Sequence, residues 1–247
     1  MIKAKEFIEK YERYYFKEKY EKNDTLGIKG LKSTIKENEK VIVDKLKNGE
    51  HDECVIAWKL GGYIQKVNPK SIRGSYGTFN VSSYLEESRE SREDILKYIN
   101  SALKNLKADK SFFCSISDLV KAFDLLNKCE KPDKFGTVYL INSMFFLSKG
   151  EIPIYDKNVY KAIQALYLNK NPKDIIVSDA PSSKDRLGAM FRLLEYMWLL
   201  EKVFGKDKTT KSEQFRECEH VGYISRGLDR ALWVYGQCTQ KYQSEDS

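Results

Sequence analysis

Apolar residues near the start of the chain recur at the spacing of an α-helix. They share one face among many lysines and glutamates: Phe7, Ile8, Tyr11, Tyr14, Tyr15 and Phe16. Comparable patterns predict further helices at residues 31–48, 53–63, 85–106, 118–128, 137–147, 157–168, 186–203 and 225–238. No segment shows convincing strand alternation, and the glycine- and serine-rich residues 69–83 are typical of a long loop. The sequence therefore predicts an all-α fold.

Size and composition limit the class of protein. The 247 residues suffice for one large domain or two small lobes, and 41% hydrophobic with 32% charged residues is ordinary for a soluble globular chain. The net charge of +7 favours a polyanionic partner without proving one. No apolar run approaches the roughly 18 residues that a membrane span needs, and the N-terminus has no signal-like core. We therefore expect a cytoplasmic protein without a membrane partner.

The cysteines and histidines give little support for a metal centre. The five cysteines are widely spread, no Cys-x-x-Cys pair occurs, and the chain has only two histidines. Zinc sites, iron–sulfur clusters and disulfide frameworks depend on closer or more numerous ligands. We therefore expect neither a metal nor another cofactor.

Several helix ends carry recognisable signals. Ser115 or Ser117 is the expected cap of the helix at 118–128, and Ser183 or Asp185 that of the helix at 186–203, which Gly205 would end. The helix at 186–203 has an apolar stripe that consists of Phe191, Leu194, Met197 and Leu200. This stripe predicts that Tyr196 and Trp198 lie in the core.

Asp156 lies where a short apolar segment ends and an amphipathic helix begins. A carboxylate at that position is commonly an N-cap, which stabilises a helix by about 1 kcal/mol. The position also suits chemistry, because the first amides and the dipole of a helix favour the ionised form of a carboxylate. An ionised carboxylate beside a sugar stabilises the positive charge that develops on C1′ during glycosidic cleavage. Both interpretations stand at this point.

The segment 153–162 resembles the catalytic-aspartate motif of the helix–hairpin–helix DNA glycosylase superfamily. In that motif a proline and an apolar pair precede the aspartate, and a valine and a basic residue follow it, as Pro153, Asp156, Val159 and Lys161 do here. Upstream, residues 131–136 resemble the hairpin turn of the family. The resemblance covers about residues 115–168 and extends to the final helix, and it is nearest to the 8-oxoguanine-glycosylase-like bacterial branch, some members of which act against phage.

The resemblance implies a fold and a function. The fold would have two helical lobes, an N-terminal one at 1–114 and one with the hairpin and the C-terminal helices at 115–247, with a cleft between them. The protein would be a monomer associated with the bacterial nucleoid. It would flip a modified base out of double-stranded DNA and release it with the help of Asp156. The implied substrates are bulky phage-modified cytosines or an oxidised purine.

Thr137 occupies the position at which bifunctional members of the family carry a catalytic lysine. Without that amine no Schiff base forms with the abasic sugar, so the resemblance implies a monofunctional glycosylase in which water attacks C1′. Lys134 or Lys149 would replace the amine if either lies nearby, which leaves a bifunctional oxidised-purine glycosylase/lyase as an alternative. A second alternative is a noncatalytic helical DNA-binding module in which Asp156 is only a cap.

The hairpin departs from the family pattern, with Asp133 and Phe135 where small residues are usual. Because Asp133 would repel a phosphate, phosphate anchoring there is expected to be weaker than in the family. The predicted DNA contacts are Lys59, Gly61, Arg73, Lys134, Gly136, Thr137 and Lys157. The predicted base pocket comprises Trp58, Tyr76, Tyr155, Asp229 and Trp233. The tryptophans would alternatively be packed in the core, and residues 73–80 would alternatively form a solvated loop without contact to DNA.

Overall fold

The computed structural model describes residues 2–21, 72–74, 77–79, 92–107, 112–128, 136–148, 151–179, 181, 184–205 and 226–237. Within these ranges there are seven α-helices: α1 (Ala4–Glu21), α2 (Arg92–Lys107), α3 (Phe112–Lys128), α4 (Thr137–Leu147), α5 (Lys157–Leu168), α6 (Arg186–Phe204) and α7 (Arg226–Gln237). A 3-10 turn, Pro172–Asp174, follows α5. The predicted all-α class is confirmed.

A short antiparallel hairpin lies inside the region that the sequence predicts as a loop. Its strands are β1 (Ile72–Gly74) and β2 (Gly77–Phe79), with Ile72 opposite Phe79 and Gly74 opposite Gly77. Strands of three residues are too short to show an alternating pattern, so periodicity could not reveal them. The loop prediction is therefore corrected for these six residues.

The start of α3 differs from the prediction. The helix begins at Phe112 rather than after a serine cap, so Ser115 lies within it. The Ser115 side chain is fully buried, and its hydroxyl donates a hydrogen bond to the carbonyl of Ala102 in α2 at 3.3 Å. A second bond joins Ser101 to Asp118 at 2.6 Å. Ser101 and Ser115 thus join α2 to α3 by hydrogen bonds, and Ser115 does not cap a helix.

The two ends of α6 follow the prediction. Oδ1 of Asp185 accepts a hydrogen bond from the amide of Gly188 at 3.0 Å, as an N-cap does. Gly205 ends the helix with a φ of 79°, in the region that favours glycine. Local sequence signals therefore set the length of this helix, which contributes ten buried residues, among them the fully buried Tyr196.

One hydrophobic core takes side chains from all seven described helices. The first helix reaches it through Phe7, whose ring contacts Phe204 of α6 and Tyr235 of α7 at centroid distances of 5.6 Å. An ion pair of 2.8 Å between Arg230 and Glu12 also joins α7 to α1. The described helices on either side of residue 114 thus share one core, and the division into lobes 1–114 and 115–247 stays a prediction.

Helix α7 packs closely on the first turn of α5 at Gly236. A Cβ atom added there would lie 2.0 Å from the carbonyl oxygen of Asn158 and 2.8 Å from its carbonyl carbon. Because these are backbone atoms, they cannot give way as the end of a side chain would. Glycine at 236 is thus what allows α7 to lie against the turn that follows Asp156.

We expect Gly236→Ala to destabilise the protein by about 1 to 3 kcal/mol, because the added methyl group overpacks this crossing. Urea unfolding monitored by circular dichroism measures the change. Gly136→Ala is the matched control, since a Cβ atom at 136 meets nothing within 4 Å. Equal unfolding midpoints for Gly236→Ala and the unsubstituted protein would contradict the close crossing.

Candidate active site

Asp156 lies where the extended residues 152–155 meet α5. Its backbone is extended (φ −151°, ψ 173°), and its Oδ1 accepts hydrogen bonds from the amides of Asn158 at 2.7 Å and Val159 at 3.0 Å. These bonds confirm the predicted N-cap. The side chain is half-buried, and Oδ2 receives no hydrogen bond from the residues that the structure describes. One oxygen therefore holds the carboxylate in place, while these residues leave the other unengaged.

Hydrogen bonds to side chains at α4 and at the residue after it hold the segment that leads to Asp156. Residues 152–155 are buried, so their backbone groups need partners inside the protein. The amide of Tyr155 donates to Oδ1 of Asn142 at 3.1 Å, and the amide of Ile152 donates to the hydroxyl of Ser148 at 2.9 Å. Asn142 is fully buried, and its Nδ2 has no partner among the described residues. A polar residue in an otherwise apolar helix thus fixes the approach to Asp156.

Three tyrosines form an aromatic cluster beside Asp156. The ring of Tyr155 lies 5.8 Å from that of Tyr160 and 5.7 Å from that of Tyr196. Tyr196 is fully buried, and its hydroxyl has no hydrogen-bond partner within the described ranges. Burial raises the pKa of Tyr196 well above its usual value, and the charges of Asp229 and Asp156 raise it further. Two carboxylates from different helices therefore lie near one buried hydroxyl.

The predicted core stripe of α6 is correct for Tyr196 but wrong for Phe191 and Trp198. These two side chains are 44% and 47% exposed. They are seven residues apart and so share one face of the helix, which here points away from the core. The Trp198 ring contacts the half-exposed Tyr167 of α5 edge-on, with centroids 5.4 Å apart.

Arg192 adds a cation to the aromatic cluster through Tyr160. Sequence reasoning assigned no role to either residue. The Arg192 guanidinium lies over the Tyr160 ring at 4.8 Å. The Tyr160 hydroxyl donates to Glu195 at 2.6 Å and accepts from Gln164 at 3.0 Å. Burial and the hydrogen bond to Glu195 raise the Tyr160 pKa. The available signal was spacing, because Tyr160 follows Asp156 by one helical turn.

The loop between the 3-10 turn and α6 is attached to three helices around the site. The hydroxyl of Thr137 donates to the carbonyl of Pro181 at 2.5 Å, and Arg192 donates to the Ser178 hydroxyl at 3.2 Å. Lys157 forms a 2.8 Å ion pair with Asp179 on the exposed surface. That hydrogen bond and the Lys157 charge lower the Asp179 pKa. The loop thus connects the starts of α4 and α5.

The predicted site residues fall into three groups. Asp156, Tyr155 and Asp229 lie together around Tyr196, where Tyr155 and Asp229 are buried. Around them, Thr137 is 5% exposed with its hydroxyl already bonded, and Gly136 is exposed with open space beside it. Trp233 instead packs on Tyr15 in the contact between α1 and α7, with ring centroids 5.3 Å apart.

Apart from Lys157, which directly follows Asp156, the remaining predicted residues are not placed near Asp156 by the structure. Arg73 lies in β1, where it is opposite Thr78. The others lie outside the described residues: Trp58, Lys59, Gly61, Tyr76, Lys134 and Lys149. Of the predicted hairpin at 129–136, residues 129–135 also lie outside them. Their contribution to the site stays a prediction.

Comparison with protein-family models, with curated proteins and with solved structures finds no match for this chain. Function is therefore argued from its residues and their geometry. In the described part of the chain, no helix combines the length and apolar character needed to cross a membrane. The same part holds no group of three or more histidine, cysteine, aspartate or glutamate side chains arranged to bind a metal ion.

We expect Tyr196→Phe to make the protein less sensitive to alkali. The folded state raises the Tyr196 pKa, so it holds the proton more tightly than the unfolded state does. This contribution to the free energy of unfolding is complete below about pH 10 and is lost as the pH rises further. Urea unfolding at about pH 8 and about pH 11 measures the difference. An equal alkaline loss in Tyr196→Phe and the unsubstituted protein would contradict the assignment.

Proposed function

We propose that this protein is a monofunctional DNA glycosylase, which flips a modified or damaged base out of double-stranded DNA and hydrolyses its N-glycosidic bond. The supporting observation is the state of Asp156. One oxygen is fixed by two amides at the start of α5, and the described residues leave the other oxygen unengaged. A fixed, half-buried carboxylate with one available oxygen suits the stabilisation of a cation.

In the proposed reaction, Asp156 stabilises charge. The C1′–N bond breaks, its electron pair leaves with the base, and the base gains a proton. A water oxygen then bonds to C1′ as that water gives up a proton, which leaves an abasic site. Positive charge develops on the sugar meanwhile, and an oriented carboxylate lowers the free energy of that state. The two amides fix the direction of the Asp156 carboxylate, and this suits an electrostatic role.

The absence of a lyase step follows from the residue at 137. A threonine has no amine to form a Schiff base with the abasic sugar. The Thr137 hydroxyl is in any case bonded to Pro181. The bifunctional alternative would need another lysine, and trapping tests it directly.

DNA would reach the site from the exposed start of α4. Gly136 is exposed there, and no described residue lies within 4 Å of an added Cβ, so these residues leave a phosphate room to approach the backbone. The net charge of +7 favours such an encounter. The proposed substrates are bulky phage-modified cytosines, which would give the enzyme a role in antiviral defence, or oxidised purines.

The capping geometry also favours a second candidate, a noncatalytic helical DNA-binding module. Two hydrogen bonds to Oδ1 fully satisfy what a helix start requires of an N-cap. In that case the second oxygen of Asp156 would have no chemical role. The two candidates differ in one measurable property, the release of a free base.

We expect Asp156→Asn to lower base release by at least about a hundredfold, because it removes the charge that stabilises the sugar cation. Asparagine caps a helix as well as aspartate, so the fold and the DNA affinity are expected to stay intact. Mass spectrometry of bases released from oxidised, alkylated, deaminated and phage-modified duplexes measures the effect. If the unsubstituted protein releases none while a competent glycosylase does, the binding-module candidate is favoured.

We expect borohydride to trap no covalent adduct between protein and DNA, since trapping requires a Schiff base. Intact abasic sites should accumulate until alkali or an endonuclease cuts the strand. Denaturing electrophoresis of both protein and DNA measures the two quantities. A strong trapped adduct would show that a lysine acts in the site and would support the bifunctional alternative.

A further inference from the structure

Arg192 is a half-buried cation whose partners in the described chain are all neutral. Its guanidinium donates to the Ser178 hydroxyl at 3.2 Å and lies 4.8 Å over the Tyr160 ring. Burial raises the pKa of Tyr155, and the Arg192 charge and hydrogen bond act against that rise. The described residues give Arg192 no ion pair. By contrast Arg186, on the same helix as Arg192, pairs with Asp124 of α3 at 2.8 Å. Arg192 therefore has no salt-bridge partner among these residues.

The position of this guanidinium relates it to Asp156. Tyr155 precedes Asp156, and Tyr160 follows it by one turn, so two of the three contacts of Arg192 are with residues that flank the carboxylate. The nearby Glu195 accepts its hydrogen bond from Tyr160 instead of forming an ion pair with Arg192. The other cation at this end of α5, Lys157, is already paired with Asp179. Arg192, by contrast, forms no salt bridge with the described residues.

The contacts also orient the guanidinium. Stacking on an aromatic ring and a hydrogen bond at one edge limit the freedom of the long side chain before any ligand arrives. A guanidinium has five N–H donors in a planar fork that matches the oxygens of a phosphate. A partly buried cation held in this way, with no salt bridge to the described residues, has the properties of an anion-binding group.

We propose that Arg192 binds a phosphodiester of the DNA strand that carries the extruded nucleotide, next to the sugar that Asp156 faces. The identity of that nucleotide rests on the proposed glycosylase function, whereas the phosphate contact rests on the surroundings of Arg192. Ser178 and Tyr160 act as positioning residues that hold the guanidinium toward the strand. The bond keeps the sugar within reach of the carboxylate.

The salt dependence of DNA binding tests this inference. Fluorescence anisotropy gives the Kd of the full-length protein for a duplex with a tetrahydrofuran abasic-site analogue over a range of NaCl concentrations. Each phosphate contact adds about 0.9 to the magnitude of the slope of log K against log salt. We expect Arg192→Gln to lower that magnitude by about 1. Arg192→Lys should retain most of the slope but bind more weakly, since it keeps the charge and loses the planar fork.

Arg186→Gln is the matched control. It removes the same charge from the same helix, but Arg186 is already paired with Asp124. Its slope should change by less than half as much as that of Arg192→Gln. If the two glutamine variants change the slope equally, Arg192 makes no special contact and the inference is overturned. Should Arg192→Gln fail to fold, Arg192→Lys decides, since an affinity equal to that of the unsubstituted protein would overturn it as well.

Failure of the proposed glycosylase function would give a different combination of results from failure of the proposed phosphate contact. If no duplex yields a free base but Arg192→Gln still lowers the slope, the phosphate contact stands and the glycosylase proposal falls. If Asp156→Asn abolishes base release while Arg192→Gln and Arg186→Gln give the same slope, the reverse holds. The pair of measurements therefore separates the two proposals.

Discussion

The buried hydrogen bond between the Tyr155 amide and the Asn142 side chain underlies the geometry of the site. An extended segment can enter a core only when its amides find partners there, because an unsatisfied buried amide costs about 1 to 3 kcal/mol. With that bond made, the Tyr155 ring packs edge-on against Tyr196 in the aromatic cluster, and Asp156 lies at the start of α5. The capping bonds and the position of the free carboxylate oxygen follow from this arrangement.

A structural cap and a chemical group are compatible at Asp156. A cap uses one carboxylate oxygen, and glycosidic cleavage needs one as well, so a single side chain with two oxygens can serve both purposes. The tyrosine cluster behind it supplies no competing charge at neutral pH, since a tyrosine is neutral there and burial raises the pKa of Tyr160 and Tyr196 further. The local field at the start of α5 is therefore set mainly by helix amides, nearby carboxylates and Arg192.

Sequence reasoning succeeded where the controlling interaction is local. The cap at Asp156, the cap at Asp185 and the end of α6 at Gly205 each depend on residues a few positions apart. It failed where distant residues meet. The bond from Thr137 to Pro181 joins positions 44 residues apart, and nothing in local spacing places Arg192 beside Tyr155. For the same reason, periodicity identified α6 but did not show that Phe191 and Trp198 lie on its outer face.

The contact between Gly236 and Asn158 limits how the protein can move. Because backbone lies against backbone there, the first turn of α5 and the last turn of α7 cannot separate or slide without losing their packing. Arg230 and Tyr235 in turn fasten α7 to α1. Any rearrangement that admits a bulky ligand to Asp156 must therefore move these three helices together.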